Sequence, residues 1–154
     1  MSQNIDWGNL GFGYIPTEYR YVAKYKDGAW DEGQLTTEST ITLSECACVF
    51  QYAQTCFEGL KAYRREDGKV QLFRPIENIR RLNRSAERLC LPEIPEELGL
   101  EVLTAFVNME QDWTPSAPGT SLYLRPLMFG NDETLGVHAV HHTTFLIIAS
   151  PVGS

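Results

Sequence analysis

With 154 residues, 43% of them hydrophobic and 21% charged, the chain is long enough to bury one core and too apolar for wholesale disorder. Its 20 Asp+Glu against 13 Lys+Arg leave a formal net charge of -7, a field that repels phosphate backbones and argues against general binding to nucleic acid or to an anionic membrane. The cations are nonetheless gathered: Arg64, Arg65, Arg74, Arg80, Arg81 and Arg84 all lie within positions 64 to 84.

No apolar run approaches the length of a membrane span, and "MSQNIDWGNLGFG" has neither the charged start nor the apolar centre of a signal peptide, so a soluble cytoplasmic protein is expected. Cys46, Cys48, Cys56 and Cys90 follow neither a zinc-ribbon nor a CxxC spacing, and reduced, mostly buried thiols are expected. Internal repeats and linker-like runs are absent, which leaves one domain over residues 1–154.

In chain order, "YRYVAKYKDGAWDEGQL" alternates aromatic or apolar with charged residues around Asp27-Gly28 and predicts an antiparallel pair with a tight turn. Thr40 to Leu43 read as a short strand, and Ser44-Glu45 are placed to cap a following helix. Phe57 to Tyr63 and Val70 to Phe73 flank "EDGK", a hairpin in which Asp67-Gly68 supply positive φ. Pro75 then suits the first turn of a helix, with Ile76, Ile79, Leu82, Ala86 and Leu89 near one stripe. A second helix is expected from about Pro95 to Trp113, turning Leu98, Val102, Ala105, Phe106 and Met109 inward until "PSAPG" ends it. "TSLYLRPLMFG" and "HTTFLIIASPV" are β-rich, and the unbroken "FLIIA" predicts a strand covered on both faces. Together these elements predict an α+β fold, an antiparallel β-sheet packed against two main helices.

Three segments, "CFEGLKAYR", "LFRPIENIRRLNRSAERLCLP" and "GTSLYLRPLMFGNDETLGV", carry a resemblance. In order and spacing they closely resemble the branched-chain amino acid aminotransferases, fold type IV enzymes that use pyridoxal 5'-phosphate. The resemblance runs from near Phe12 to Gly153 and implies the amino-terminal small domain. It also implies that the larger domain, with the lysine that carries the cofactor covalently, is absent from this chain, since none of Lys24, Lys26, Lys61 or Lys69 matches that lysine. No catalytic residue is therefore assigned here, and the isolated chain is expected to be inactive.

What remains for this chain is a phosphate anchor and a side-chain pocket. By resemblance Arg81 of "NIRRLNRSA" is the anchor, an arginine fork being a rigid partner for a phosphate dianion. On the residues alone the cluster reads as a solvated helix face, with Arg80, Arg84 and Arg88 pairing with Glu77 and Glu87. The pocket has to accept leucine, isoleucine or valine and also glutamate. Phe12, Tyr52, Phe57 and Tyr123 resemble its aromatic wall, Gly59 a backbone position close to substrate, and Arg125 the cation for the glutamate side chain. Taken singly, each ring is more ordinarily a core aromatic and Gly59 a strand glycine, whereas Arg125 in an apolar strand has to pair or face a cavity.

"NDETLGV" resembles the interface loop of family homodimers, with Leu135 and Val137 at its tip. His138, His141 and His142 are read as solvated, with no metal, because no carboxylate or thiolate partner stands out nearby. Two other readings remain open: a non-catalytic interaction module, and another fold type IV enzyme such as a D-amino acid aminotransferase.

Overall fold

Asp27 and Gly28 adopt positive φ (51° and 91°), the geometry of a two-residue hairpin, and fold β1 (Arg20–Lys26) onto β2 (Ala29–Trp30). The computed structural model describes residues 4–154 and continues with β3 (Gln34–Thr36), α1 (Cys48–Tyr52), β4 (Thr55–Phe57), β5 (Leu60–Arg64) and β6 (Val70–Leu72). There follow α2 (Pro75–Arg88), α3 (Glu96–Met109), a 3-10 turn (Gln111–Trp113), β7 (Ser121–Gly130) and β8 (His142–Val152). All eight strands join one antiparallel sheet in the order β2-β1-β8-β7-β5-β6, with β3 on β1 and β4 on β7. The architecture is the α+β arrangement expected.

The core lies between α2, α3 and one face of the sheet. Leu122, Leu124 and Met128 of β7, with Phe145, Ile147 and Ala149 of β8, pack against Leu82 and Ala86 of α2 and Leu103, Phe106 and Val107 of α3. Leu146 on the opposite face of β8 is buried too, but Ile148 on that face is only half-buried, so "FLIIA" is fully covered on one side and partly on the other. Between the helices, buried Asn83 closes a two-way clasp, its Nδ2 donating to the Ile94 carbonyl (2.7 Å) and its Oδ1 accepting the Ile94 N–H (2.8 Å).

Several expectations need correction. Thr40–Leu43 form no strand: β2 and β3 already occupy β1's outer edge, so the segment runs exposed without a ladder partner. Ser44 does not cap α1; its Oγ accepts the Cys46 N–H and its carbonyl the Ala47 N–H in a preceding turn, and the helix starts from Ala47. Phe57–Tyr63 splits into β4 and β5 because Pro126 stands opposite Glu58: the Glu58 N–H reaches the Pro126 carbonyl (2.9 Å), but proline has no N–H to return. In the hairpin turn only Gly68 has positive φ (81°). The inward stripe of α3 is Gly99, Leu103, Phe106 and Val107, while Leu98, Ala105 and Met109 are exposed, so the face is turned by about one residue. It continues into fully buried Glu110, whose Oε1 accepts the Tyr19 N–H (2.6 Å), a polar residue that the apolar pattern hid.

Asn83→Ala would strand both backbone groups of Ile94. It is expected to lower unfolding free energy by about 1–3 kcal/mol in urea titration, whereas Arg84→Ala, on the exposed side of the same helix, should stay within about 0.5 kcal/mol.

Candidate functional site

Alternation along β7 sends Leu122 and Leu124 to the helices and Tyr123 and Arg125 to the opposite face of the sheet. Phe57, paired with Leu127, stands on that same face. The Arg125 guanidinium carbon lies 4.4 Å from the Phe57 ring centroid and 5.4 Å from that of Tyr123, and its Nη2 donates to the Tyr123 hydroxyl (3.2 Å). Cation–π contact orients the fork without neutralising it. The Nε–H of Arg125 is buried and has no acceptor among the described residues.

Phe12 arrives from outside the sheet. The Gly153 N–H donates to the Gly11 carbonyl (2.9 Å) and the Ile15 N–H to Ser150 Oγ (2.9 Å), strapping residues 11–15 along the end of β8. This sets Phe12 edge-on to Tyr123, ring centroids 5.2 Å apart at 67°. Phe12, Tyr14, Tyr123, Arg125, Ile148 and Ser150 then line a hollow of about 220 Å³. Gly59 borders Tyr123: any side chain there would run into the Tyr123 hydroxyl, which explains the glycine in the break between β4 and β5.

Arg81 lies elsewhere. From α2 its Nε and Nη2 donate to the two carboxylate oxygens of Glu58 (2.5 and 2.7 Å), while Asn78 Nδ2 adds a bond to Glu58 Oε2 (3.1 Å). The Glu58 side chain is 5% exposed and that of Arg81 60%. Burial pushes the Glu58 pKa up, but the bonds from Arg81 and Asn78 outweigh it and hold the carboxyl below its usual value. Glu58 turns toward α2 and its neighbour Gly59 toward Tyr123, so Arg81 and Tyr123 do not line one hollow; they are joined through the Glu58-Gly59 peptide. Among the described residues nothing accepts from Arg81 Nη1, which leaves the exposed edge of the fork free for an anion.

The remaining expected residues form a separate group. The Tyr52 hydroxyl, at the end of α1, donates to the Leu135 carbonyl, and Leu135 and Val137 stand 75% and 76% exposed on their loop. That loop is braced by Asp132, whose carboxylate accepts the N–H groups of His141 (3.0 Å) and His142 (2.5 Å). The structure thus brings Phe12, Phe57, Gly59, Tyr123 and Arg125 together and places Arg81 and Tyr52 apart from them. Sequence reasoning missed Glu58, Tyr14 and Asp132. A charged residue inside the otherwise apolar "CFEGL" was the available signal for Glu58; the histidines do have a carboxylate neighbour, in Asp132.

Solved structures share the fold. Over 90% of this chain it superposes on part of the branched-chain amino acid aminotransferase of Escherichia coli (TM-score 0.68, 21% identity, 41% of that chain). The enzyme from Thermobaculum terrenum in its PLP form matches likewise (TM-score 0.66, 17% identity, 41% of that chain). No family model matches. Sequence relatives are nearer: 46% identity over 153 residues to the branched-chain-amino-acid aminotransferase of Helicobacter pylori, and 49% over 150 residues to branched-chain-amino-acid transaminase 1 of Bacillus subtilis. These alignments cover 99% and 97% of this chain but only 45% and 42% of the relatives, so the chain spans less than half their length. The chain is a homologue of the branched-chain aminotransferases, corresponding to their amino-terminal part.

Two substitutions check this geometry. Gly59→Ala is expected to displace the Tyr123 ring, read as a change in tyrosine near-ultraviolet circular dichroism with the far-ultraviolet spectrum retained. Because the folded pKa of Glu58 is depressed, its ion pair contributes stability above the unfolded value, about 4.3, and loses it as pH falls through the folded value. Wild type should therefore exceed Glu58→Gln in stability at pH 7, with the gap closing below about pH 4 in denaturant titrations.

Proposed function

We propose that residues 1–154 are the small domain of a branched-chain amino acid aminotransferase. In this reading the complete protein moves the amino group between leucine, isoleucine or valine and 2-oxoglutarate, with the covalent lysine supplied by polypeptide outside this chain. One observation carries it: Arg125, a half-buried guanidinium flanked by Phe57 and Tyr123, keeps a buried Nε–H without a protein acceptor. A pocket built only for aliphatic side chains has no use for such a donor, and one that alternates aliphatic and acidic substrates requires it.

Pyridoxal 5'-phosphate, when bound, supplies the electron sink of transamination. The residues present fit its phosphate: Glu58 fixes one edge of the Arg81 fork, and the other edge faces solvent, where an anion can reach it. In the pocket, the rings of Phe12, Phe57 and Tyr123 pack on leucine, isoleucine or valine and exclude water. For glutamate, the Arg125 Nε–H and the Tyr123 hydroxyl donate to the distal carboxylate, so its burial is compensated. Tyr52 anchors the carbonyl of Leu135, which presents Leu135 and Val137 to a second subunit in a homodimer. Cytoplasmic location and a biosynthetic role follow from the same reading, and the isolated chain is expected to be inactive.

In the complete protein, Arg125→Ala should lower kcat/KM for glutamate at least ~10-fold more than for leucine, as loss of ~1.4 kcal/mol or more of charge pairing requires. Arg81→Ala should speed the loss of pyridoxal phosphate on dialysis, followed by cofactor absorbance. Equal losses for both substrates and unchanged retention would overturn the reading.

A further inference from the structure

All 3 histidines of the chain gather around one carboxylate. Asp132 is 6% exposed, and its Oδ2 lies 3.8 Å from Nδ1 of His138 and 3.8 Å from Nδ1 of His141. The His138 and His141 rings stack, centroids 5.2 Å apart at 26°. One donor atom from each of Asp132, His138 and His141 falls within 4.8 Å of the other two. His142 is not of this group: its Nδ1 lies 3.8 Å from Asp132 Oδ1 and its Nε2 3.8 Å from Asp27 Oδ1.

We propose that Asp132, His138 and His141 bind a first-row transition-metal dication of the Zn²⁺ class, with water completing the coordination. The inference does not rest on the aminotransferase reading. Two imidazoles and one carboxylate form a donor set that suits zinc, nickel or copper, whereas magnesium and calcium require mostly oxygen. The carboxylate is held before any metal arrives, because its oxygens accept the His141 and His142 N–H groups, and such outer bonds fix a ligand's direction. Tetrahedral bonds of about 2.0–2.2 Å place donor atoms roughly 3.3–3.6 Å apart, so the carboxylate–imidazole gaps must close by less than about 0.5 Å. The rings can supply that movement, His138 and His141 being 39% and 70% exposed at the side chain, and their exposure also admits the water. His138 Nδ1 now contacts the Ala139 carbonyl (2.7 Å); ligation exchanges this contact for a metal bond or turns the ring to offer Nε2. The ion would close a ring of chain from Asp132 to His141, with Leu135 and Val137 on its outer side.

The test is calorimetric titration of the full chain with Zn²⁺, repeated with Co²⁺ to read the ligands spectroscopically. Expected are one equivalent of metal, d–d bands with no intense thiolate-to-cobalt band, at least tenfold weaker binding in His138→Ala/His141→Ala, and unchanged binding in His142→Ala. Circular dichroism of the double variant should match wild type, because both side chains are exposed. No binding by wild type, equal binding by the folded double variant, or a thiolate band from Cys46 or Cys90 accompanying the bound equivalent would each overturn the proposal.

Discussion

The two-residue period of β7 governs the molecule. Leu122, Leu124 and Met128 are wholly buried against the helices, each worth about 1.5–3 kcal/mol of transfer free energy, and this demand fixes the register with β8. Once those residues face inward, Tyr123 and Arg125 have no choice of face. A slip by one residue would bury a guanidinium among leucines and expose Leu124, so packing in the core and placement of the site are one constraint.

Pro126 modifies this constraint at one point. By withholding an N–H it interrupts the neighbouring ladder between Phe57 and Leu60, where Glu58 and Gly59 sit. There Gly59 leaves space for the Tyr123 hydroxyl and Glu58 grips Arg81. A buried carboxylate is costly unless it is paired and hydrogen-bonded, and Glu58 meets both conditions through Arg81 and Asn78. The same pairing directs the arginine: rotation about its last bonds is restricted by two parallel contacts, whatever its exposed edge then meets.

The sheet and both long helices were legible because their signals are local: β-rich composition in β7 and β8, Pro75 at a helix start, Asp27-Gly28 in a turn. The failures share a cause. The face of α3 was misjudged because Gly99 and Glu110 both belong to the buried stripe, Gly99 lying against Ile79 and Ile94 and Glu110 holding the Tyr19 N–H. Neither partner is visible from α3 itself. Thr40–Leu43 has strand composition but pairs with no strand, the outer side of β1 being taken by β2 and β3, and such pairing is a property of the whole sheet. At the site, the residues carried over from the family resemblance can be named from the sequence, but how they group is not legible there. Phe12 meets Tyr123 across more than a hundred positions, and Glu58 meets Arg81 across 23.

The gathering of arginines in an acidic chain has a divided explanation, which side-chain geometry separates. Arg64 spends its fork on the carbonyls of Thr114, Gly68 and Gln111 and so ties the β5–β6 hairpin to the segment after α3. Arg80 bridges Glu77 on its own helix and Glu96 on α3, exposed pairs worth little at ordinary ionic strength. The expected pairs of Arg84 and Arg88 with glutamates do not form among the described residues. Among the described arginines of α2, Arg81 faces a carboxylate that burial has already fixed, and its direction is set by that contact. A net charge of -7 keeps anions away from most of the surface, which makes a directed, partly free guanidinium count for more where it does stand. On the proposed reading, an anion at that point would be favoured by contrast with the surrounding field, and the solvated arginines beside it would add to the local potential without needing partners of their own.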